Sequence, residues 1–158
     1  MTERKKTGLP VIMCIGSDKV SGDILGPEVG RRLISDYNLG AYVYGITGRN
    51  INGENIDSYD SFIREVHKDS AVIAVDACLG GEKEIGNIKI SKRGIGAGFA
   101  VGKKDKRYGD VGLVGIVGKI SDDNVMQLIS ADCGLVEALS GKIAEYLADN
   151  MEKILRAD

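Results

Sequence analysis

Two carboxylates stand where this chain could do chemistry. Asp23 follows the loop Gly16-Ser17-Asp18-Lys19-Val20-Ser21-Gly22, and Asp76 comes directly after the apolar run Ala71-Val72-Ile73-Ala74-Val75. Two carboxyl groups held a few ångströms apart cannot both ionise easily, so one keeps its proton and the pair can hold and polarise a water. That is acid–base machinery for hydrolysis. Each aspartate also has a purely structural alternative. Asp23 suits the N-cap of the helix that follows it, and Asp76 suits a turn at a strand end.

Other reactive side chains are few. His67 is the only histidine; this excludes paired-histidine metal motifs and makes any Ser–His–Asp or Cys–His arrangement depend on it. Cys78, two residues past Asp76, would need a base to act as a nucleophile. His67 is expected at the C-terminal end of the second helix, on the opposite edge of the sheet, where it complements the helix dipole. Cys14 reads as core, and Cys133 begins the last helix without an evident partner. The loop 16–22 could cradle an anion, but it lacks G-x-G-x-x-G and a Walker lysine, and Asp23 would repel a phosphate.

The elements that must position these residues follow from hydrophobic patterning. Residues 9–16 are a buried strand, and the helix that Asp23 would cap runs to about residue 37 with Leu25, Val29, Leu33 and Ile34 on one face. Residues 41–45 form a second strand, 58–68 a helix burying Tyr59, Phe62, Ile63 and Val66, and 71–75 a third strand. Uniformly apolar strands alternating with helices indicate a parallel sheet covered on both faces. In the simplest right-handed winding the first and third strands are neighbours, so Asp23 and Asp76 face each other across a crevice at their carboxyl ends. Further on, 85–90 reads as a less buried strand and 111–117 as another. Asp122 or Asp123 caps a short helix ending near residue 129. The final helix, about 132–155, carries the strongest apolar stripe. No repeat or linker is evident, and the chain reads as one domain, 1–158.

Composition narrows the function. Glycine accounts for 22 of 158 residues, about twice the usual ~7%, and eleven of them lie between Gly80 and Gly118. The net charge is −2, yet residues 83–107 carry +6, so the remainder carries −8. The basic glycine-rich stretch from Lys92 to Lys104 reads as either a solvated loop or a substrate clamp. With one Phe and one Tyr nearby and an acidic chain overall, it does not point to nucleic acid. No apolar run approaches the roughly 18 residues of a membrane span, and the start lacks a signal-peptide core. Three cysteines without a C-x-x-C pair suit reduced thiols in a cytoplasmic setting.

The motifs Cys14-Ile15-Gly16-Ser17-Asp18-x-x-x-Gly22-Asp23-x-Leu25-Gly26-Pro27 and Ile73-Ala74-Val75-Asp76-Ala77-Cys78-Leu79-Gly80 resemble those of the YyaC-type sporulation proteins, regarded as spore proteases. The resemblance covers nearly the whole chain. The wider relatives are similar to the germination protease, which degrades small acid-soluble spore proteins, and to the hydrogenase maturation proteases. It implies a three-layer αβα sandwich of the phosphorylase/hydrolase-like type around a mostly parallel five-stranded sheet. It also implies that Asp23 and Asp76 match the germination protease's two essential aspartates. The maturation proteases use corresponding acids with a later histidine to bind metal, and the resemblance puts Gly96 where that histidine would be. Without the nitrogen donor, stable nickel or zinc binding is not expected, nor is any other cofactor.

The resulting expectation is a sporulation-associated peptidase in which Asp23 and Asp76 are catalytic. Asp18, Gly96, Lys103 and Lys104 would lie at the substrate, a protein, with small spore proteins as candidates. Two alternatives stand beside it: a non-catalytic binding protein that recognises its partner through the basic loop, and a metal-dependent peptidase whose site is completed by Asp18 or Cys78.

Overall fold

A computed structural model describes residues 6–96 and 106–156. Its main sheet has the order β2-β1-β3-β7-β4, built from β1 (Val11–Cys14), β2 (Tyr42–Tyr44), β3 (Val72–Gly80), β7 (Val111–Lys119) and β4 (Ile88–Ser91). The first four strands run parallel, and β4 lies antiparallel on the β7 edge. Two short strands, β5 (Ile95–Gly96) and β6 (Arg107–Tyr108), form a separate antiparallel ribbon. The helices are α1 (Leu25–Asp36), α2 (Ile56–Val66), α3 (Asn124–Ile129) and α4 (Cys133–Arg156).

Alternation along β1 sorts the core onto two faces. Ile12 and Cys14 point with Val75 and Leu113 into one cluster, closed by Leu25, Val29 and Leu33 of α1 and by Leu139, Ile143 and Leu147 of α4. Val11, Met13 and Ile15 point the other way, against Ile56 and Ile63 of α2 and against Ile95 and Tyr108 of the ribbon. Helix pair, sheet, and helix with ribbon make three layers, as expected. The expected neighbourhood of the first and third strands holds: β1 and β3 pair in parallel from Val11↔Val72 to Cys14↔Val75.

Several local expectations need correction. The first helix does not start on Asp23: residues Gly22–Ile24 form a 3-10 turn, and α1 begins at Leu25 with no side-chain cap. Asp76 does not follow the third strand but lies within it, because β7 continues to pair with β3 as far as Gly80↔Lys119. Ile34, Phe62 and Val66 are exposed, whereas Asp60 is buried on α2. These helices cover the sheet with a narrower stripe than their apolar residues suggest. Of the two cap candidates before α3, it is Asp123 that accepts a hydrogen bond from the Met126 N–H, at 3.0 Å.

Candidate active site

The site is built where β1 stops and β3 does not. The last β1 partner of β3 is Val75, whose carbonyl accepts a hydrogen bond from the Ile15 N–H at 2.7 Å. Asp76 is therefore the first residue of β3 beyond the β1 pairing. The loop leaving β1 closes on itself: the Ser17 N–H donates to the Asp23 carbonyl at 3.1 Å. Gly16 makes the closure possible, for a Cβ there would lie 2.0 Å from the Asp23 carbonyl oxygen, and its φ is +155°. Gly26 in the first turn of α1 serves the same end; its Cβ would lie 2.1 Å from the Ile15 carbonyl oxygen. The glycines in the Gly16…Gly26 motif thus press the Asp23 turn onto the end of the sheet.

The charge of Asp23 is felt at the Asp76 carboxyl. Asp76 is buried, 3% exposed, and its Oδ1 accepts from the Ala77 N–H at 2.8 Å. Burial raises its pKa well above the ordinary carboxylate value, and the negative charge of Asp23 raises it further; the Ala77 N–H offsets part of this. Asp23 is only half-buried, and desolvation raises it as well. The deeper Asp76 is thus the member that keeps its proton, and Asp23 the one that ionises first. With one proton donor and one carboxylate, the pair can supply both halves of acid–base chemistry. The same surroundings argue against a thiolate: burial, then the charge of Asp76, raise Cys78.

The other expected residues are distributed differently. Asp18 Oδ2 accepts from the Gly48 N–H at 2.7 Å, and the Asp18 N–H donates to Asn50 Oδ1 at 2.9 Å. Asp18 therefore ties the loop before Asp23 to the loop after β2. Gly96 lies in β5 opposite Arg107, whose guanidinium would be 3.2 Å from a Cβ at that position. Arg107 donates from Nε to the Arg93 carbonyl at 2.6 Å and from Nη2 to the Gly94 carbonyl at 2.8 Å. Lys103 and Lys104 lie outside the described residues. His67 ends α2, with its Nε2 2.6 Å from the Tyr44 hydroxyl on the outer strand β2. Cys14 is core, and its thiol is raised to about 12 by burial.

Among the described residues the donor set does not fit a three-ligand nickel or zinc site. Gly96 brings no nitrogen and has a guanidinium beside it, the Asp18 carboxylate is engaged by Gly48, and among the described residues no three His, Cys, Asp or Glu side chains group as metal ligands. Residues without a conspicuous motif hold the frame instead. Asn50 Nδ2 donates to the Ile46 carbonyl at 3.2 Å, and Asn55 Nδ2 to the Asn50 carbonyl at 3.0 Å. The buried Tyr108 donates to Asp57 Oδ1 at 2.7 Å, an oxygen that Lys106 Nζ also reaches at 2.7 Å, which fastens β6 to α2. The asparagine cluster at 50, 52 and 55 was the available signal for the first of these; nothing local signals the second.

A family model described as "Protein of unknown function (DUF1256)" matches residues 2–148. The chain belongs to the DUF1256 family. The "Uncharacterized protein YyaC" of Bacillus subtilis (strain 168) is 34% identical over 146 residues, which is 92% of this chain and 71% of YyaC. Among solved structures, the NiFe hydrogenase maturation protease HycI from Thermococcus kodakarensis KOD1 matches with a TM-score of 0.60 and 20% identity, over 91% of this chain and 92% of that one. At that identity the likeness is one of fold: this DUF1256 chain has the α/β architecture of a maturation protease. No helix among its described residues is long and apolar enough to cross a membrane.

Proposed function

We propose that this DUF1256 protein is a peptidase that hydrolyses a protein substrate through Asp23 and Asp76. The observation that carries the reading is the buried Asp76, raised by desolvation and by the charge of Asp23, at the carboxyl end of parallel strands where ligands of open α/β sheets bind. In the starting state Asp76 is protonated and Asp23 ionised. Asp23 takes a proton from water as the water oxygen attacks the peptide carbonyl carbon, and Asp76 gives its proton to the carbonyl oxygen. As the tetrahedral species collapses, one of its hydroxyl protons returns to Asp76 and the proton held by Asp23 goes to the departing nitrogen. The C–N bond breaks to give an acid and an amine, and both aspartates regain their starting states.

The finer reading, a cytoplasmic, sporulation-associated enzyme whose substrates include small spore proteins, rests on the motif resemblance and, for the compartment, on three cysteines without a C-x-x-C pair. Lys103 and Lys104 would then hold an acidic part of the substrate. The test is incubation of the purified chain with spore-protein extract. Asp23→Asn and Asp76→Asn should each reduce cleavage by about 100-fold or more, the scale of acid–base catalysis; a fully active double variant overturns the reading. Gly96, beside Arg107 rather than an imidazole, favours one rival, a non-catalytic binding protein. That rival is indicated if extract proteins are captured undigested and charge reversal at Lys103 and Lys104 weakens the capture.

A further inference from the structure

A concavity opens at the carboxyl end of β2. Between the end of β2, the loop that follows it and the outer face of α2 lies a cavity of about 500 Å³, within the usual size range of ligand sites. Val43, Tyr44, Ile46, Tyr59 and Phe62 make its apolar wall, and Arg49 is its charged member. Phe62 leaves 44% of its surface exposed and meets Tyr44 edge-to-face at 5.8 Å between ring centroids, so an aromatic surface faces an open space. Arg49 is exposed and forms no ion pair among the described residues. The wall is not independent of the aspartate site. Its loop is held by the hydrogen bond from Gly48 to Asp18 and by that from Asp18 to Asn50, and Asp18 belongs to the segment that delivers Asp23.

We infer that this cavity is a specificity pocket, which takes one large apolar side chain of a substrate segment while Arg49 pairs with a carboxylate on the adjacent residue. The occupant is argued from complementarity. An aromatic wall selects an aromatic or large aliphatic side chain, and an exposed guanidinium at its edge, without an ion pair among the described residues, selects an acid as the neighbour. Asp18 is then a positioning residue that keeps the pocket loop in register with the Asp23 turn. The inference rests on the peptidase reading only in calling the occupant a substrate.

Binding can be measured without cleavage. The chain contains no tryptophan, so the fluorescence of a capped Gly-Trp-Asp-Gly peptide reports the ligand alone. Saturable binding of this peptide, at least about tenfold tighter than that of Gly-Trp-Lys-Gly, is expected from the charge term. Arg49→Glu should reverse that order. Ser58→Phe, at an exposed α2 position on the cavity wall, should abolish binding of both peptides while the circular dichroism spectrum is unchanged. Equal binding of the two peptides, or an Arg49→Glu variant that binds as the unaltered chain does, overturns the inference. So does sedimentation showing a dimer that Ser58→Phe dissolves, because a second copy would then be the occupant. A failure of the aspartate variants to affect cleavage would sink the peptidase reading and leave the peptide binding intact, so the two failures can be told apart.

Discussion

A buried acid that keeps its proton leaves a mark on stability as well as on reactivity. In the unfolded chain Asp76 titrates as an ordinary carboxylate, whereas in the folded chain burial and the charge of Asp23 hold its pKa well above that. Between those two values the folded state binds the extra proton, so the contribution of Asp76 is most favourable below the unfolded value. It declines as pH rises through the folded one. Asp76→Asn removes the ionisation and keeps the shape. It should raise stability near neutral pH by about 1–3 kcal/mol, roughly 2–10 °C in Tm for a chain of this length, and flatten the fall in Tm between the ordinary carboxylate range and neutrality. Thermal melts across that range check this; a variant less stable than the parent at neutral pH would show that Asp76 is not held as a buried neutral acid. Both aspartates stood out in the sequence as candidates, because carboxylates beside apolar runs and glycines are conspicuous. Which of them keeps the proton was not legible, since that depends on burial that only the three-dimensional surroundings supply.

At the scale of elements, the Asp23 turn depends on close backbone approach. Gly16→Ala would put a methyl group 2.0 Å from the Asp23 carbonyl oxygen, and Gly26→Ala one 2.1 Å from that of Ile15. Neither obstacle is a flexible side chain, so the backbone must move. Each substitution should cost about 1–3 kcal/mol or more, on the scale of overpacking, and reduce activity with it. Gly53 is the control, because a methyl group there would meet nothing within 4 Å; Gly53→Ala should stay within about 0.5 kcal/mol. Denaturant titration of the three variants measures the contrast. The sequence located most elements well, since β1 is a continuous apolar run and α1 and α4 carry apolar stripes at helical spacing. It misplaced their limits where tertiary pairing decides them: β3 extends through Asp76 because β7 lies alongside, and the turn at Gly22–Ile24 is tightened by the approach of Gly16 to Asp23. The basic stretch illustrates another limit. Its composition marked it as special, but the strands that flank it are fixed by long-range bonds, from Arg107 to residues 93 and 94 and from Tyr108 to Asp57, which no local pattern displays.

For the molecule as a whole, the fold class was the most legible level, because a run of apolar strands alternating with amphipathic helices has few packed solutions. The pocket beside β2 was the least legible, since its wall combines residues 43–49 with 58–62 across two elements and forms only once they pack. The sheet order carries a consequence for how the protein comes into being. β4 precedes β7 in the chain yet lies outside it, and β7 is inserted between β3 and β4. On the ribosome, β1, β2 and β3 can associate as soon as they emerge, but the long edge of β3 stays bare and β4 has nothing to pair with until β7 follows. Because α4 covers the same face as α1, closure also waits for the last part of the chain. A nascent chain arrested before residue 111 should therefore remain open to protease and bind chaperones, while one whose residues are all clear of the exit tunnel should become resistant in a single step. Late insertion of a central strand makes birth, rather than the mature state, the period in which this protein is most exposed to aggregation.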